Sequence, residues 1–147
     1  SLDVRIFGVG PLLDELRVLA ERLSLGAVVH FEGFAEDVSL IYRNADIFVL
    51  SSDYEGFGNV LVEAMAFGIP IVATRAPFGP EGILEGGKYG ELVGVGDVDG
   101  LVNGILAVWP GKSRAAELAR MGPERASLYY PARVVASLVE YLECLRP

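Results

Sequence analysis

Two glutamates, Glu55 and Glu63, stand on either side of a glycine-rich helix start in the stretch SSDYEGFGNVLVEAMAFG, Ser51 to Gly68. An ionised glutamate is acceptor-only, so its oxygens suit the paired donors of a vicinal diol and disfavour phosphate. Between the two acids, Gly56 and Gly58 carry no Cβ and reach positive φ, which permits a sharp turn and close approach of backbone to bound oxygens. The amides of Phe57, Gly58, Asn59 and Val60 then open the helix with its positive end behind them, a setting for anionic oxygens. Glu63 lies four residues past Asn59, on the same helix face one turn in, while Glu55 sits on the loop at the mouth. A ligand with sugar hydroxyls at two places and anionic oxygens between them satisfies each element, and a nucleotide-diphosphate sugar has that chemistry. Taken singly, Glu55 is a loop charge and Glu63 a helix-surface charge; their joint placement is what points to a site.

The elements that must position this stretch read as alternating strands and helices. Short apolar runs at Val4 to Phe7, Val28 to Phe31, Ile47 to Leu50, Pro70 to Thr74 and Leu92-Val93 predict strands. Helical periodicity predicts helices over Leu12 to Leu23, Glu36 to Ala45 and Asn59 to Phe67, the last stopping at Gly68, with a short one around Glu81 to Glu85. From Asp97, placed to cap the helix after it, the pattern stays helical, broken at Pro110-Gly111 and at Gly122-Pro123 with Tyr130-Pro131. Trp109, Tyr129, Tyr130 and Tyr141 read as packing for these last helices. The pattern predicts βα units: an α/β, Rossmann-like parallel sheet with helices on both faces, binding ligands beyond the strand carboxyl ends.

At 147 residues and 52% hydrophobic content, one domain with one core is expected. A net charge of -8 argues against nucleic acid or an anionic membrane surface as partner. Cys144 is the only cysteine, which excludes an internal disulfide and a multi-cysteine metal site and fits a reducing, cytoplasmic setting. No apolar run reaches the roughly 18 residues of a spanning helix.

The sequence EGFGNVLVE resembles the E-x7-E motif of the retaining GT-B glycosyltransferases of family four, glycosyl transferases group 1. The likeness covers nearly the whole chain: VRIFGVGPLLDELRVLAERL, VHFEGF, ADIFVLSS, EAMAFGIPIVAT and GKYGELV followed by GD occur in the family's order. It implies a carboxyl-terminal, donor-binding domain in which Glu63 holds the nucleotide ribose. Glu55 and the backbone of Phe57, Gly58 and Asn59 would then face the donor sugar and diphosphate, with the base near Gly33 and Phe34. It further implies retaining transfer of a sugar from a UDP- or GDP-sugar to an acceptor, as in polysaccharide or glycolipid synthesis, with no bound metal and no cofactor besides the substrate.

The departures from the family pattern are equally definite. A glutamate common in the family is replaced by Gly82, so its contact is absent or moved to Glu81. The family's domain begins with a further strand and helix that carry a diphosphate-clamping arginine and lysine, followed in order by what this chain contains. Lacking these and the acceptor domain, the isolated chain is expected to be inactive and to bind donor weakly, at millimolar rather than micromolar level. Helix-end amides alone offer a charge about 0.3–2 kcal/mol. Arg75 and Lys88 are the nearest candidate cations to the crevice. In the strand order 3-2-1-4-5-6 the absent strand is central. Val4 to Phe7 must then pair with Ile47 to Leu50, accept a strand from another chain as in a homo-oligomer, or leave open edges. Membrane association would come only through the missing domain. His30 reads as structural or exposed. GVGPLL lacks the third glycine of a dinucleotide fingerprint, Leu13 standing in its place. A non-catalytic nucleotide-sugar-binding or interaction module remains the alternative to a donor domain.

Overall fold

The computed structural model describes residues 2–144 of a chain that divides into two compact units, Ser1–Leu40 and Ile41–Pro147. The first holds β1 (Val4–Phe7), α1 (Leu13–Arg22) and β2 (Val29–Gly33). β1 and β2 run parallel, with Val4 opposite Val29 and Ile6 opposite Phe31, and the register shifts so that Phe7 meets Gly33. α2 (Val38–Arg43) crosses the boundary between the units.

The second unit contains β3 (Phe48–Leu50), α3 (Asn59–Ala66), β4 (Ile71–Thr74), α4 (Pro80–Ile83) and β5 (Glu91–Val93). α5 (Val98–Ala107), α6 (Ser113–Ser127) and α7 (Pro131–Cys144) follow. β4 lies between β3 and β5, all parallel, with Val72 opposite Val49 and Glu91. All four β4 residues are buried, as a continuous apolar run in a sheet covered on both faces requires. Successive strand side chains point to opposite faces. Ile71 and Ala73 accordingly join Leu61, Met65, Ile83 and Leu84 in one cluster, while Val72 joins Val108, Ala115 and Leu118 in another. Gly104 lets α5 close on β4, since a Cβ there would stand 2.8 Å from the Val72 Cγ1. Asp97 caps α5 as expected, accepting the Gly100 amide at 2.8 Å.

Parallel sheets flanked by helices are thus observed, with two corrections to the sequence reading. The strands form two sheets, β1-β2 and β3-β4-β5; of the three outcomes expected for Val4–Phe7, pairing with Ile47 to Leu50 is not seen among the described residues, and the strand pairs only with Val29–Gly33, its other edge left open within the chain. The break expected at Gly122-Pro123 is absent, because α6 runs through both residues. Gly122 is a crossing point: a Cβ there would meet the Met65 carbonyl at 2.9 Å, so the glycine admits α3 and does not end the helix. Finally, Trp109, Tyr130 and Tyr141 are exposed, and of the four late aromatics only Tyr129 packs against the core.

Leu61→Ala is expected to lower the unfolding free energy by about 2–5 kcal/mol, the cost of a cavity at a fully buried leucine. Leu16→Ala, on the exposed side of α1, should change it by no more than about 0.5 kcal/mol. Urea titration, with the slope held constant between variants, checks both.

Candidate functional site

The loop between β3 and α3 carries most of the candidate residues. It closes on Gly58, the residue preceding α3, whose φ of 93° and ψ of 46° are left-handed and which offers no side chain to cap the helix. The first-turn amides of α3 therefore have no side-chain acceptor, and only the Leu61 amide turns back, to the Gly58 carbonyl at 2.9 Å. The loop after β4 lies directly against this turn. The Glu55 amide donates to the Pro77 carbonyl, and Gly79, at φ 125°, sits so close that a Cβ would fall 1.8 Å from the Phe57 carbonyl oxygen.

Both glutamates are oriented by hydroxyl groups. The Ser52 Oγ donates to Glu55 Oε1 at 2.7 Å, and the buried Thr74 hydroxyl donates to the Ser52 carbonyl, tying the end of β4 to the end of β3. The Tyr42 hydroxyl donates to Glu63 Oε2 at 2.8 Å. Tyr42 is buried, with its ring 5.9 Å from that of Phe48 and 5.5 Å from that of Phe67. Burial, then the hydrogen bond to Glu63 and the charge of that carboxylate, push the phenol well above its usual pKa, so it keeps its proton and stays the donor.

Phe57, Asn59 and Glu63 share a cleft of about 420 Å³ with Val62, Ala66, Tyr129, Tyr130 and Val134. The helix face predicted for Asn59 and Glu63 is therefore observed. Tyr129 meets Phe57 edge-on at 5.8 Å, and Arg125 steadies Tyr129 through a 3.0 Å bond to its hydroxyl. Glu55 does not line that cleft; it is half-buried beside Ser52. Gly56 is exposed and Val60 half-buried. Arg75 follows β4 and pairs with the Glu81 carboxylate, both side chains being about half exposed at 47% and 57%. Lys88 pairs with Glu85 at 2.7 Å. Gly33 ends β2 in the first unit at φ 73°, and Phe34 beside it is exposed. Among the described residues no three His, Cys, Asp or Glu side chains gather as a metal site would need. No helix there is long and apolar enough to cross a membrane.

Sequence reasoning missed Tyr42, Ser52 and Thr74, and it named Tyr129, which also lines the cleft, only as packing. No spacing rule links Tyr42 to Glu63, because their contact is made by tertiary packing across 21 positions.

The architecture is that of the GT-B glycosyltransferases: the solved structure of Anabaena HepE in complex with UDP matches with a TM-score of 0.85 at 28% identity, over 98% of this chain and 41% of that one. By its match to the family profile over residues 1–125, the chain belongs to the glycosyl transferases group 1 family. It is 34% identical over 119 residues to the lipopolysaccharide core biosynthesis glycosyltransferase LpsE of Rhizobium meliloti, covering 81% of this chain and 35% of the relative. It is also 34% identical over 126 residues to a GDP-mannose-dependent phosphatidylinositol monomannoside mannosyltransferase of Mycolicibacterium smegmatis, covering 80% and 33%. The chain thus spans about a third of the length of these curated relatives.

Gly79→Ala is expected to destabilise the chain by about 1–3 kcal/mol, the range for a strained backbone conformation, through the collision with Phe57. Gly82→Ala, where nothing lies within 4 Å of an added Cβ, should be tolerated. Thermal unfolding of the two variants side by side checks the contrast.

Proposed function

We propose that this chain is the donor-binding domain of a retaining glycosyltransferase and takes a nucleotide-diphosphate sugar. The observation that carries the reading is the arrangement at α3: a helix start left uncapped by any side chain, with the Glu63 carboxylate one turn in on the face of Asn59 and Phe57. In this reading the amides of Phe57, Gly58, Asn59 and Val60 receive diphosphate oxygens, favoured by the positive helix end. Glu63 accepts the ribose diol. Glu55, with Gly56 beside it, faces the donor sugar, where a fixed negative charge stabilises the positive charge that develops at the anomeric carbon as the diphosphate departs.

Arg75 is the cation proposed for the departing diphosphate. It is held by Glu81, and an exposed ion pair of this kind is worth no more than about 1 kcal/mol, so an arriving diphosphate can compete for the guanidinium. Gly33 and Phe34 keep the base-contact role on the strength of the family resemblance alone. UDP in HepE and GDP-mannose in the mycobacterial relative are different bases on one family plan, so the choice of base is left to the test. Transfer itself is proposed for the longer protein, with an acceptor-binding region supplying what this third of a relative's length does not.

Saturation-transfer NMR of the chain with UDP- and GDP-sugars should show binding in the millimolar range. Glu63→Ala should weaken it by about 1.5–3 kcal/mol, the worth of a hydrogen bond to a charged group. In the full-length enzyme, Glu55→Ala should lower kcat with little change in KM. Unchanged affinity, KM and kcat across both variants would remove the assignment.

A further inference from the structure

We infer that Tyr42 is a positioning residue for the donor site: its buried phenol holds the Glu63 carboxylate in the orientation that accepts a nucleotide's ribose diol. The inference rests on the donor-site reading of Glu63 and goes beyond it by naming what orients that side chain.

The two partners differ sharply in freedom. Tyr42 is only 5% exposed, packed in the main core cluster with Phe48 and Phe67 on its ring. Glu63 is exposed on α3. A surface glutamate left to itself samples many rotamers, and ordering it on binding costs affinity. A hydroxyl fixed by the core, 2.8 Å from Oε2, meets that cost in advance. The bond engages one oxygen, and among the described residues no second hydrogen bond reaches this carboxylate, so Oε1 and the remaining lone pair of Oε2 stay available to a ligand. A neutral donor also leaves the negative charge of Glu63 in place, whereas a bidentate arginine would occupy both oxygens.

A purely structural account is that a buried phenol merely needs a partner. The two accounts separate in a double-mutant cycle read by NMR titration with UDP, using Tyr42→Phe, Glu63→Ala and the double variant, with 2′,3′-dideoxyuridine diphosphate as a second probe. Tyr42→Phe keeps the ring and its packing, and the amide spectrum of each variant reports its fold. Tyr42→Phe is expected to weaken UDP binding about three- to tenfold, the cost of ordering one rotamer-rich side chain. It should add nothing once Glu63→Ala is present, and should not affect the dideoxy probe. Undiminished UDP affinity in Tyr42→Phe, with Glu63→Ala weakened, would overturn the inference and leave the donor site standing. A loss of the same size in the Glu63→Ala background would also overturn it, as an effect not routed through the carboxylate. An unchanged affinity in Glu63→Ala alone would remove the donor-site reading, and the inference with it.

Discussion

The second unit is organised by the burial of β4, whose residues alternate between two helical layers. Ile71 and Ala73 face the cluster under α3, and Val72 faces α5 and α6. Because the strand is enclosed on both faces, its polar groups must be satisfied internally. Its last residue, Thr74, is buried and spends its hydroxyl on the Ser52 carbonyl. That bond fixes where the chain leaves β3, and Ser52 in turn orients Glu55. The same buried layer anchors Leu61 and Met65 of α3, so that the helix start and Glu63 are carried by the core and not by a free loop. Close packing of this kind transmits position over short distances with little slack.

A difference in partners separates the two candidate glutamates from the other paired glutamates of this unit. Glu81, Glu85, Glu91 and Glu117 have ion-pair partners in Arg75, Lys88 and Arg114. Arg114 also bonds the Gly87 carbonyl, knitting α6 to the segment before β5. Glu55 and Glu63 are instead held by hydroxyls. A guanidinium would neutralise the carboxylate and fill its acceptor positions. A hydroxyl fills one position and leaves the charge. In the donor-site reading proposed above, that leaves each carboxylate acceptor positions for a ligand.

The strands were legible because short apolar runs bounded by glycine have few other uses in a chain of this size. The α3 turn was legible because Gly56, Gly58, Glu55 and Glu63 lie within one local stretch, where spacing translates directly into geometry. Gly122-Pro123 misled for a physical reason: a glycine that admits a crossing helix looks the same in sequence as one that ends its own. The aromatics misled for another reason: Trp109 lies in the turn between α5 and α6, on no helix, and Tyr141 lies on α7, none of whose residues is buried. Tyr42 and Ser52 could not be read at all. Each is an unremarkable residue whose importance lies in what tertiary packing brings to its hydroxyl.

Burial is unequal between the two units, and this bears on how a ligand would be held. In the first, Ala20 is the one buried hydrophobic residue among those described, while Leu12, Leu16 and Leu19 are exposed. The second unit holds both buried clusters. Elements with few buried contacts open at low free energy, and a ligand contact made there must first pay for ordering. The backbone that carries Asn59 and Glu63 is ordered by the second unit's core, since Leu61 and Met65 of the same helix are fully buried. In the donor-site reading proposed above, the cost of ordering is therefore smallest at the α3 turn, whose helix is held by the second unit's core.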